Sequence, residues 1–417
     1  MNSLRFGVSA LLVAVSLTVP LSAASAQAES VNCNAQCQLA WQQQRADALP
    51  RTAFYGAPAP LPWAPLGQLI RDQTVSAYQV QGRAITATRI MYHSRTSTGR
   101  DIAATGVLLV PPGTPPAGGW PVVVDAHGSS GIGSDCAPSL MRDLYHGGQM
   151  LRFVDMGWAV VAPDYAGLGT NGRVEFLNLA AEASDVIGAL RASLQAGAGL
   201  SHRWVLWGHS QGGGAALGVA ERQLAQPEPG YLGAVVTAPA ADLFHVVSSL
   251  ASFPGLGGFL PLVAKGAAES DPRISPRRLL TRQAVQRLQV TRAGCLGVVT
   301  AVYSDLTGPS LVRPGYLDDP QFAGYLARNS TGSHAVAGPV LLLQGDADVV
   351  VPESVSSQVA ANLCQADVTV DYRTFPGLGH DTIPGQITGI DDGAMSDILS
   401  WITGRFAGLP APSTCSS

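Results

Sequence analysis

Short apolar runs that end in glycine-rich segments recur along most of the chain, and longer helical segments lie between them. The runs lie at 120–126, 158–163, 203–207, 233–237, 339–344 and 368–373. Runs of this length that are apolar at nearly every position are typical of strands buried on both faces. Strand and helix in alternation predict an α/β fold, with a mostly parallel sheet and helices on both of its faces.

The strands that precede this pattern along the chain are of a second type. Strands begin near Ser76, residues 84–94 alternate between apolar and polar positions, and residues 101–110 return after a short turn. This spacing predicts a β-hairpin and antiparallel strands that lead into the sheet. Residues 29–75 are rich in Pro, Ala and Gln, and they predict a short helix at 35–48 followed by an extended N-terminal arm.

The turn after the strand at 203–207 carries the candidate nucleophile. Residues 208–212 read Gly-His-Ser-Gln-Gly, which is the G-x-S-x-G pattern of a nucleophile elbow between a strand and a helix. Both glycines are required because side chains at 208 and 212 would collide with the neighbouring strand and helix. The Ala-rich segment at 215–226 supplies the helix, so we predict that Ser210 is the nucleophile.

A serine hydroxyl is a weak nucleophile, and it needs a base within hydrogen-bond reach and an acid that orients the base. With an elbow of this kind the chain order is Ser, acid, His. Asp348 and His380 follow Ser210 in that order, each after a predicted strand, at the edge where sites of open α/β sheets gather. Asp346 competes with Asp348, but the pattern Gly-x-x-Asp-x-x-Val-Pro at 345–352 favours Asp348.

Of the eight histidines, His380 alone follows the last predicted strand in a glycine-rich loop that can present an imidazole. His209 adjoins the serine on a tight turn, and we expect it to pack beside the elbow. The oxyanion of a tetrahedral intermediate needs two backbone N–H donors. Gln211 supplies one, and the loop at 127–130 supplies the other. Ser129 is the preferred second donor, with Gly128 as the near alternative.

The alternation of strand and helix stops between residues 242 and 337, a stretch too long for a plain loop. It carries scattered apolar residues and a basic helical segment at 272–292. We interpret it as a helical cap over the site, because it is inserted between the candidate nucleophile and the candidate acid. An accessory subdomain that only packs is the alternative. The predicted organisation is a signal peptide (1–28), an N-terminal arm (29–75), a core in two parts (76–241 and 338–417) and the cap insertion (242–337).

The first residues have the features of a secretory signal peptide. Arg5 precedes an apolar stretch at 6–21, and two Ala-x-Ala sites end at Ala26 and Ala28. Cleavage after Ala28 is favoured, with Ala26 as the alternative. No second stretch is long enough to span a bilayer. We therefore expect a secreted protein without a transmembrane segment, either extracellular or periplasmic.

Charge and cysteine content indicate which binding partners, disulfides and metal sites to expect. The net charge of −4 gives no basic surface for nucleic acid or for an anionic membrane. An even number of cysteines, six, in an exported chain favours disulfides, and six cysteines allow fifteen pairings. Cys33 and Cys37 are spaced to close a small local ring. No Cys/His cluster has metal-ligand spacing, so we expect no structural metal.

Several motifs together resemble those of the secretory lipases of the yeast lipase-A type and their bacterial relatives, which are α/β-hydrolases. The residues that carry the resemblance are the Asp-Cys-Ala-Pro-Ser string at 135–139, the elbow at 208–213, the acid segment at 348–352, and Cys364 ahead of Gly-His at 379–380. The string at 135–139 is the more specific of these, because the elbow alone fits most α/β-hydrolases.

The resemblance covers roughly residues 40 to 417, and it implies an α/β-hydrolase core with a helical cap inserted before the acid. It also implies two disulfides, Cys136–Cys295 and Cys364–Cys415, which leaves Cys33–Cys37 as the third. The chain departs from the yeast members at 127–131, where they carry an acidic residue and this loop is more similar to that of bacterial esterases. This departure weighs against activity of this chain on long-chain triglycerides.

These observations predict a secreted lipase or esterase that cleaves carboxylic esters of the acylglycerol type without a metal or a cofactor. We expect a monomer that acts on a small ester or lipid, with transient contact to a lipid interface through the cap. A secreted serine aminopeptidase on the same fold is the runner-up, and Glu269 and Asp271 are its only support, as acids that could face a free amine. A non-catalytic envelope binding protein is the third interpretation.

Overall fold

The computed structural model describes residues 33–383 and 385–415. The predicted signal peptide at 1–28 lies outside these residues. One nine-stranded sheet organises the described chain, in the order β1-β2-β3-β5-β4-β6-β7-β8-β9. Its strands are β1 (Leu69–Val80), β2 (Arg83–Arg95), β3 (Asp101–Leu109), β4 (Trp120–Ala126), β5 (Ala159–Pro163), β6 (Leu200–His209), β7 (Tyr231–Thr237), β8 (Val340–Gly345) and β9 (Val370–Phe375).

The sheet has two parts with different strand directions. β1, β2, β3 and β5 pair antiparallel in succession, and β5, β4, β6, β7, β8 and β9 pair parallel. The predicted hairpin and the predicted mostly parallel sheet are therefore confirmed. The first strand begins at Leu69 and not near Ser76. The apolar pattern did not show this because most side chains of β1 are exposed or half-buried, and backbone pairing with β2 alone defines the strand.

Helices pack on both faces of the sheet. The first four are α1 (Ala35–Asp47), α2 (Gly147–Asp155), α3 (Leu179–Gln195) and α4 (Gln211–Ala225). Those of the 242–337 insertion are α5 (Leu243–Ser252), α6 (Phe259–Ser270), α7 (Pro276–Leu279), α8 (Arg282–Gln286), α9 (Leu296–Tyr303) and α10 (Pro320–Arg328). The last are α11 (Glu353–Gln365), α12 (Ile390–Gly393) and α13 (Met395–Phe406).

Two hydrophobic clusters separate the faces. Val122 and Val124 of β4 belong to the first cluster, with residues of α3, α4 and the insertion. Val123, between them, belongs to the second cluster, with residues of α2 and α13. Successive side chains of a strand point to opposite faces, so an uninterrupted apolar run feeds both layers.

The insertion consists of helices and the segments that connect them, and it contributes no strand to the sheet. Its basic segment, predicted as one helical stretch at 272–292, is divided into α7, α8 and a 3₁₀ turn at Leu288–Arg292. α7 begins at Pro276, and the extended backbone at Leu280 separates it from α8. Apolar residues of α5, α6, α9 and α10 join the first hydrophobic cluster, so the insertion packs on the same face as α3 and α4.

Within the described residues, no helix is both long and apolar enough to cross a bilayer. Three disulfides join Cys33 to Cys37, Cys136 to Cys295, and Cys364 to Cys415. The second and third are the pairs that the resemblance implied, and the first is the pair that those two left. The second joins the segment after β4 to the start of α9 in the insertion.

Candidate active site

Ser210 lies on a sharp turn between β6, which ends at His209, and α4, which begins at Gln211. Its backbone angles are φ 56° and ψ −117°, a conformation that non-glycine residues rarely adopt. The backbone of the turn passes very close to its neighbours. A Cβ added at Gly212 would lie 1.7 Å from the carbonyl oxygen of Ala126, and one at Gly208 would lie 2.2 Å from the carbonyl oxygen of Gly212. Only glycine fits at these two positions.

The three residues predicted as a triad are brought together in the structure. The Oγ of Ser210 lies 2.8 Å from Nε2 of His380. The Nδ1 of His380 lies 2.7 Å from Oδ2 of Asp348. Ser210 follows β6, Asp348 follows β8, and His380 lies in the loop after β9. Parallel strands end at one edge of the sheet, which is why three separated segments meet there.

Asp348 is held by its own loop. Its Oδ1 accepts hydrogen bonds from the N–H groups of Val350 and Val351, at 2.8 and 2.9 Å. Its Oδ2 accepts one from the buried amide of Gln344, at 3.0 Å. Burial acts to raise the pKa of the Asp348 carboxyl, but the facing His380 and these donors outweigh burial and lower that pKa below its ordinary value. The carboxylate is therefore ionised, as an orienting acid must be.

The competing acid, Asp346, takes part in a different contact. Its carboxylate accepts a hydrogen bond from the N–H of Gly377 at 2.7 Å and holds the turn after β9. The structure therefore brings Asp348, and not Asp346, to His380.

The predicted oxyanion loop follows β4. The N–H of Gly128 is directed at Nε2 of His146, at 3.4 Å. Ser129 has its carbonyl fixed by the hydroxyl of Tyr145 at 2.6 Å, and its N–H has no acceptor among the described residues. This contrast favours Ser129 over Gly128 as the free donor. Gln211 is the first residue of α4, a position whose N–H has no partner within the helix.

A buried carboxyl group that sequence reasoning missed fixes the side chain of Gln211. Nε2 of Gln211 donates to Oε1 of Glu182 at 2.6 Å, and the N–H of Leu177 donates to the same oxygen at 2.9 Å. Burial raises the pKa of Glu182 to about 8. Glu182 lies in the first turn of α3, where an acidic residue is ordinary, so the sequence carried no signal beyond one acid among small apolar residues.

The oxyanion loop is also attached to the insertion and to the N-terminal arm. The N–H of Leu296 donates to the carbonyl of Ser130 at 2.9 Å, next to the Cys136–Cys295 disulfide. Gln44 of α1 donates to the carbonyl of Ala293 and accepts from the N–H of Cys295, both at 2.8 Å. The arm, whose role the sequence did not indicate, therefore braces the segment that contacts the oxyanion loop.

One group of side chains in the described residues has atoms close enough to share a metal ion: His209, His380 and Asp381, within 4.8 Å of one another. His380 already has a partner outside this group. His380 uses Nε2 toward Ser210, and Nε2 of His209 lies 3.5 Å from a carboxylate oxygen of Asp381. His209 packs beside the elbow as expected, with its ring centroid 4.5 Å from that of His380.

Comparison with proteins of known family places this geometry in context. The family described as "Secretory lipase" matches residues 148–414. Lipase 6 of Candida albicans (strain SC5314 / ATCC MYA-2876) is 27% identical over 281 residues, which is 62% of this chain and 58% of the relative. The match thus spans less than two thirds of that relative's length.

Solved structures show the same fold. Candida antarctica lipase A superposes with a TM-score of 0.74 at 17% identity, over 89% of each chain. The rice cell wall degrading esterase LipA from Xanthomonas oryzae superposes with a TM-score of 0.62 at 19% identity, over 82% of this chain and 97% of that one. These likenesses confirm the α/β-hydrolase fold. Because the family match covers well over half of the sequence, this chain belongs to the secretory lipase family.

Proposed function

We propose that the protein is a secreted serine hydrolase that cleaves carboxylic esters through an acyl-enzyme. One observation carries the proposal: an unbroken hydrogen-bonded relay runs from Ser210 through His380 to Asp348, on a strained elbow at the carboxyl edge of the sheet. Such a relay activates a serine hydroxyl, which is otherwise unreactive at neutral pH. Membership of the secretory lipase family supports the same reaction class.

In the proposed reaction, Oγ of Ser210 bonds to the ester carbonyl carbon while its proton passes to Nε2 of His380. The carbonyl oxygen becomes an oxyanion between the N–H groups of Ser129 and Gln211. The intermediate collapses, the bond to the alcohol oxygen breaks, and His380 gives its proton to the departing alcohol. Water then attacks the acyl-enzyme with His380 again as base, and this step releases the acid and restores Ser210.

Asp348 has an orienting role in this scheme. Its carboxylate fixes the Nδ1–H tautomer of His380, so that Nε2 faces the serine with a free lone pair. It also stabilises the imidazolium that forms when the serine proton is transferred. The donors from Val350, Val351 and Gln344 hold the carboxylate in place while the charge on His380 changes.

Access to the site is narrow in this structure. Ser210 and His380 are each only 7% exposed. We propose that the 242–337 insertion is the cap of the site and shifts to admit an ester or lipid substrate, with transient contact to a lipid interface and with the protein acting as a monomer. Three disulfides and the secretory family favour export, either to the periplasm or to the medium.

The aminopeptidase alternative loses its support in the structure. Glu269 is paired with Arg173 at 3.0 Å and with Lys265 at 3.4 Å. Asp271 is paired with Arg273 at 2.7 Å. Neither carboxylate is free to receive the amine of a peptide N-terminus, so the geometry favours esters over aminoacyl substrates.

The test is hydrolysis by the purified mature protein, with Ser210→Ala as the control. The substrates are p-nitrophenyl esters from acetate to palmitate, beside aminoacyl anilides. Ester turnover that disappears in Ser210→Ala supports the proposal, and the chain-length profile separates an esterase from a lipase. Anilide turnover without ester turnover indicates the peptidase, and a folded protein that turns over neither class indicates the binding role.

A further inference from the structure

His209, the residue before the nucleophile, lies between two carboxylates. Its Nδ1 is 3.2 Å from Oδ2 of Asp391, and its Nε2 is 3.5 Å from Oδ1 of Asp381. Asp391 is itself buried and fixed, since its Oδ1 accepts a hydrogen bond from the hydroxyl of Thr237 at 2.5 Å. Nδ1 also lies 3.2 Å from the hydroxyl of Thr237, which is its hydrogen-bond partner, and Nε2 has no hydrogen-bond partner among the described residues. The contacts with the two carboxylates are therefore ion pairs and not hydrogen bonds, and they favour the protonated ring because nearby carboxylates stabilise its positive charge.

This ion-pair array lies directly against the proposed catalytic base. The rings of His209 and His380 have centroids 4.5 Å apart. His209 precedes Ser210 in the chain, and Asp381 follows His380. The array therefore joins the elbow to the loop that carries the base, and it sets a cation and a carboxylate beside the imidazole that must accept the serine proton.

The charge of His209 follows from these neighbours. Burial opposes its protonation, but Asp391 and then Asp381 outweigh burial and raise the pKa of His209 well above its ordinary value. Burial acts to raise the pKa of Asp391, yet the facing His209 lowers it below its ordinary value. The pairing therefore favours the protonated form of His209 and the ionised form of Asp391.

The carboxylates of Asp381 and Asp348 both lie near His380 and would favour protonation of its imidazole in the resting enzyme. A protonated His380 cannot accept the proton of Ser210. The proposal rests on the function above, in which His380 is that base. We infer that charged His209, held by Asp381 and Asp391, is a positioning residue that offsets these carboxylates, keeps resting His380 neutral, and so extends ester hydrolysis to lower pH.

The other charged and titratable groups around the array are paired among themselves. On the far side of His209 lies His146, at a ring-centroid distance of 6.1 Å, and its Nδ1 is 3.1 Å from buried Asp125. Tyr145 stacks on His146 and donates to the backbone. On the far side of His380 lie Ser210 and Asp348. Substitution at His209 or Asp381 leaves all of these groups in place.

The test compares His209→Asn with Asp381→Asn in the pH profile of kcat/KM. Without the cation, the acid limb of the profile should move to higher pH by about one unit, because His380 then protonates more readily. Asp381→Asn removes a carboxylate and leaves the cation, so its limb should move to lower pH. The double variant should return close to the wild type. A merely structural role for His209 would lower kcat in the variants with the limb unmoved, and that result overturns the inference.

A second readout does not depend on turnover. In a Ser210→Ala background, the ring resonances of His380 are followed by NMR across the same pH range, and the midpoint should shift up with His209→Asn and down with Asp381→Asn. If the wild type hydrolyses no ester, the proposed function fails while the NMR shift still decides the charge relation. The side chain of Asp381 is 70% exposed, so we expect Asp381→Asn to fold, and an unmoved midpoint in this variant contradicts the inference.

Discussion

The serine turn and the oxyanion loop meet at one edge of the sheet, yet different parts of the chain hold them. The turn is fixed by the end of β7 and the residues just after it: the N–H of Ser210 donates to the carbonyl of Thr237 at 3.0 Å, and the carbonyl of Ser210 accepts from the N–H of Ala240 at 2.9 Å. Gly208 and Gly212 allow the close approach. The two hydrogen bonds are made within a short stretch of chain around β6, α4 and β7, and the close approach of Gly212 to Ala126 of β4 is the contact outside it.

The oxyanion loop depends on distant segments. Cys136 is bonded to Cys295, which lies 159 residues further along the chain, and Leu296 donates to Ser130. Gln44 of α1 holds Cys295 in turn. A local motif can therefore specify the serine turn, whereas the geometry of the oxyanion loop requires the insertion and the arm to be in place.

Gly212→Ala is expected to have the largest effect, because the new methyl group would overlap backbone that cannot move. We expect failure to fold, or a loss of more than about 5 kcal/mol in the free energy of unfolding, measured by chemical denaturation. Gly404→Ala in α13 is the matched control, since nothing lies within 4 Å of its added Cβ. Equal stability of the two variants would show that the turn is not constrained in this way.

Removal of the Cys136–Cys295 disulfide tests whether the oxyanion loop depends on distant segments. In the chain-entropy model the double alanine variant loses about 5 kcal/mol, and the Cys364–Cys415 control, which closes a shorter loop, loses about 4 kcal/mol. The stability losses are similar, but only the variant without Cys136–Cys295 should also have a lower kcat, measured at a temperature where both variants are folded. If kcat falls equally in both variants, the disulfide does not act through the oxyanion loop.

Glu182→Gln tests how Gln211 is held. The folded pKa of about 8 lies above the ordinary value of 4.5, so the folded state binds more protons between these values, and stability falls as the pH rises through them. Between pH 5 and pH 8 this group costs the wild type on the order of 3 kcal/mol. Glu182→Gln, which keeps the shape without a charge, should show a flatter dependence in denaturation curves. A slope equal to that of the wild type would rule out a raised pKa at Glu182.

Tyr145→Phe should have the smallest effect. It removes one hydrogen bond to the carbonyl of Ser129, worth about 1 kcal/mol, and this corresponds to roughly a fivefold loss in kcat/KM. Tyr325→Phe is the control, because its hydroxyl donates to Phe176, away from the loop. Ester kinetics at fixed pH distinguish the two, and a loss of the same size in Tyr325→Phe would make the Ser129 contact incidental.

The same difference between local and distant contacts explains which parts of the site could be predicted from the sequence. Ser210, Asp348 and His380 each follow an apolar run with a distinctive turn, so strand pattern and chain order were enough to bring them together. Glu182 and Asp391 carry no such pattern, because each is an ordinary acid near a helix start until the fold buries it beside Gln211 or His209. The pairing of Cys136 with Cys295 came from a family resemblance, since six cysteines leave fifteen pairings open.

The most direct test of the proposed mechanism is peptide mapping by mass spectrometry after treatment with a fluorophosphonate, which labels activated serines. We expect one adduct per chain, on Ser210, which is absent in Ser210→Ala and strongly reduced in His380→Ala. An adduct on another serine, or a folded protein that hydrolyses esters without labelling at Ser210, would contradict it.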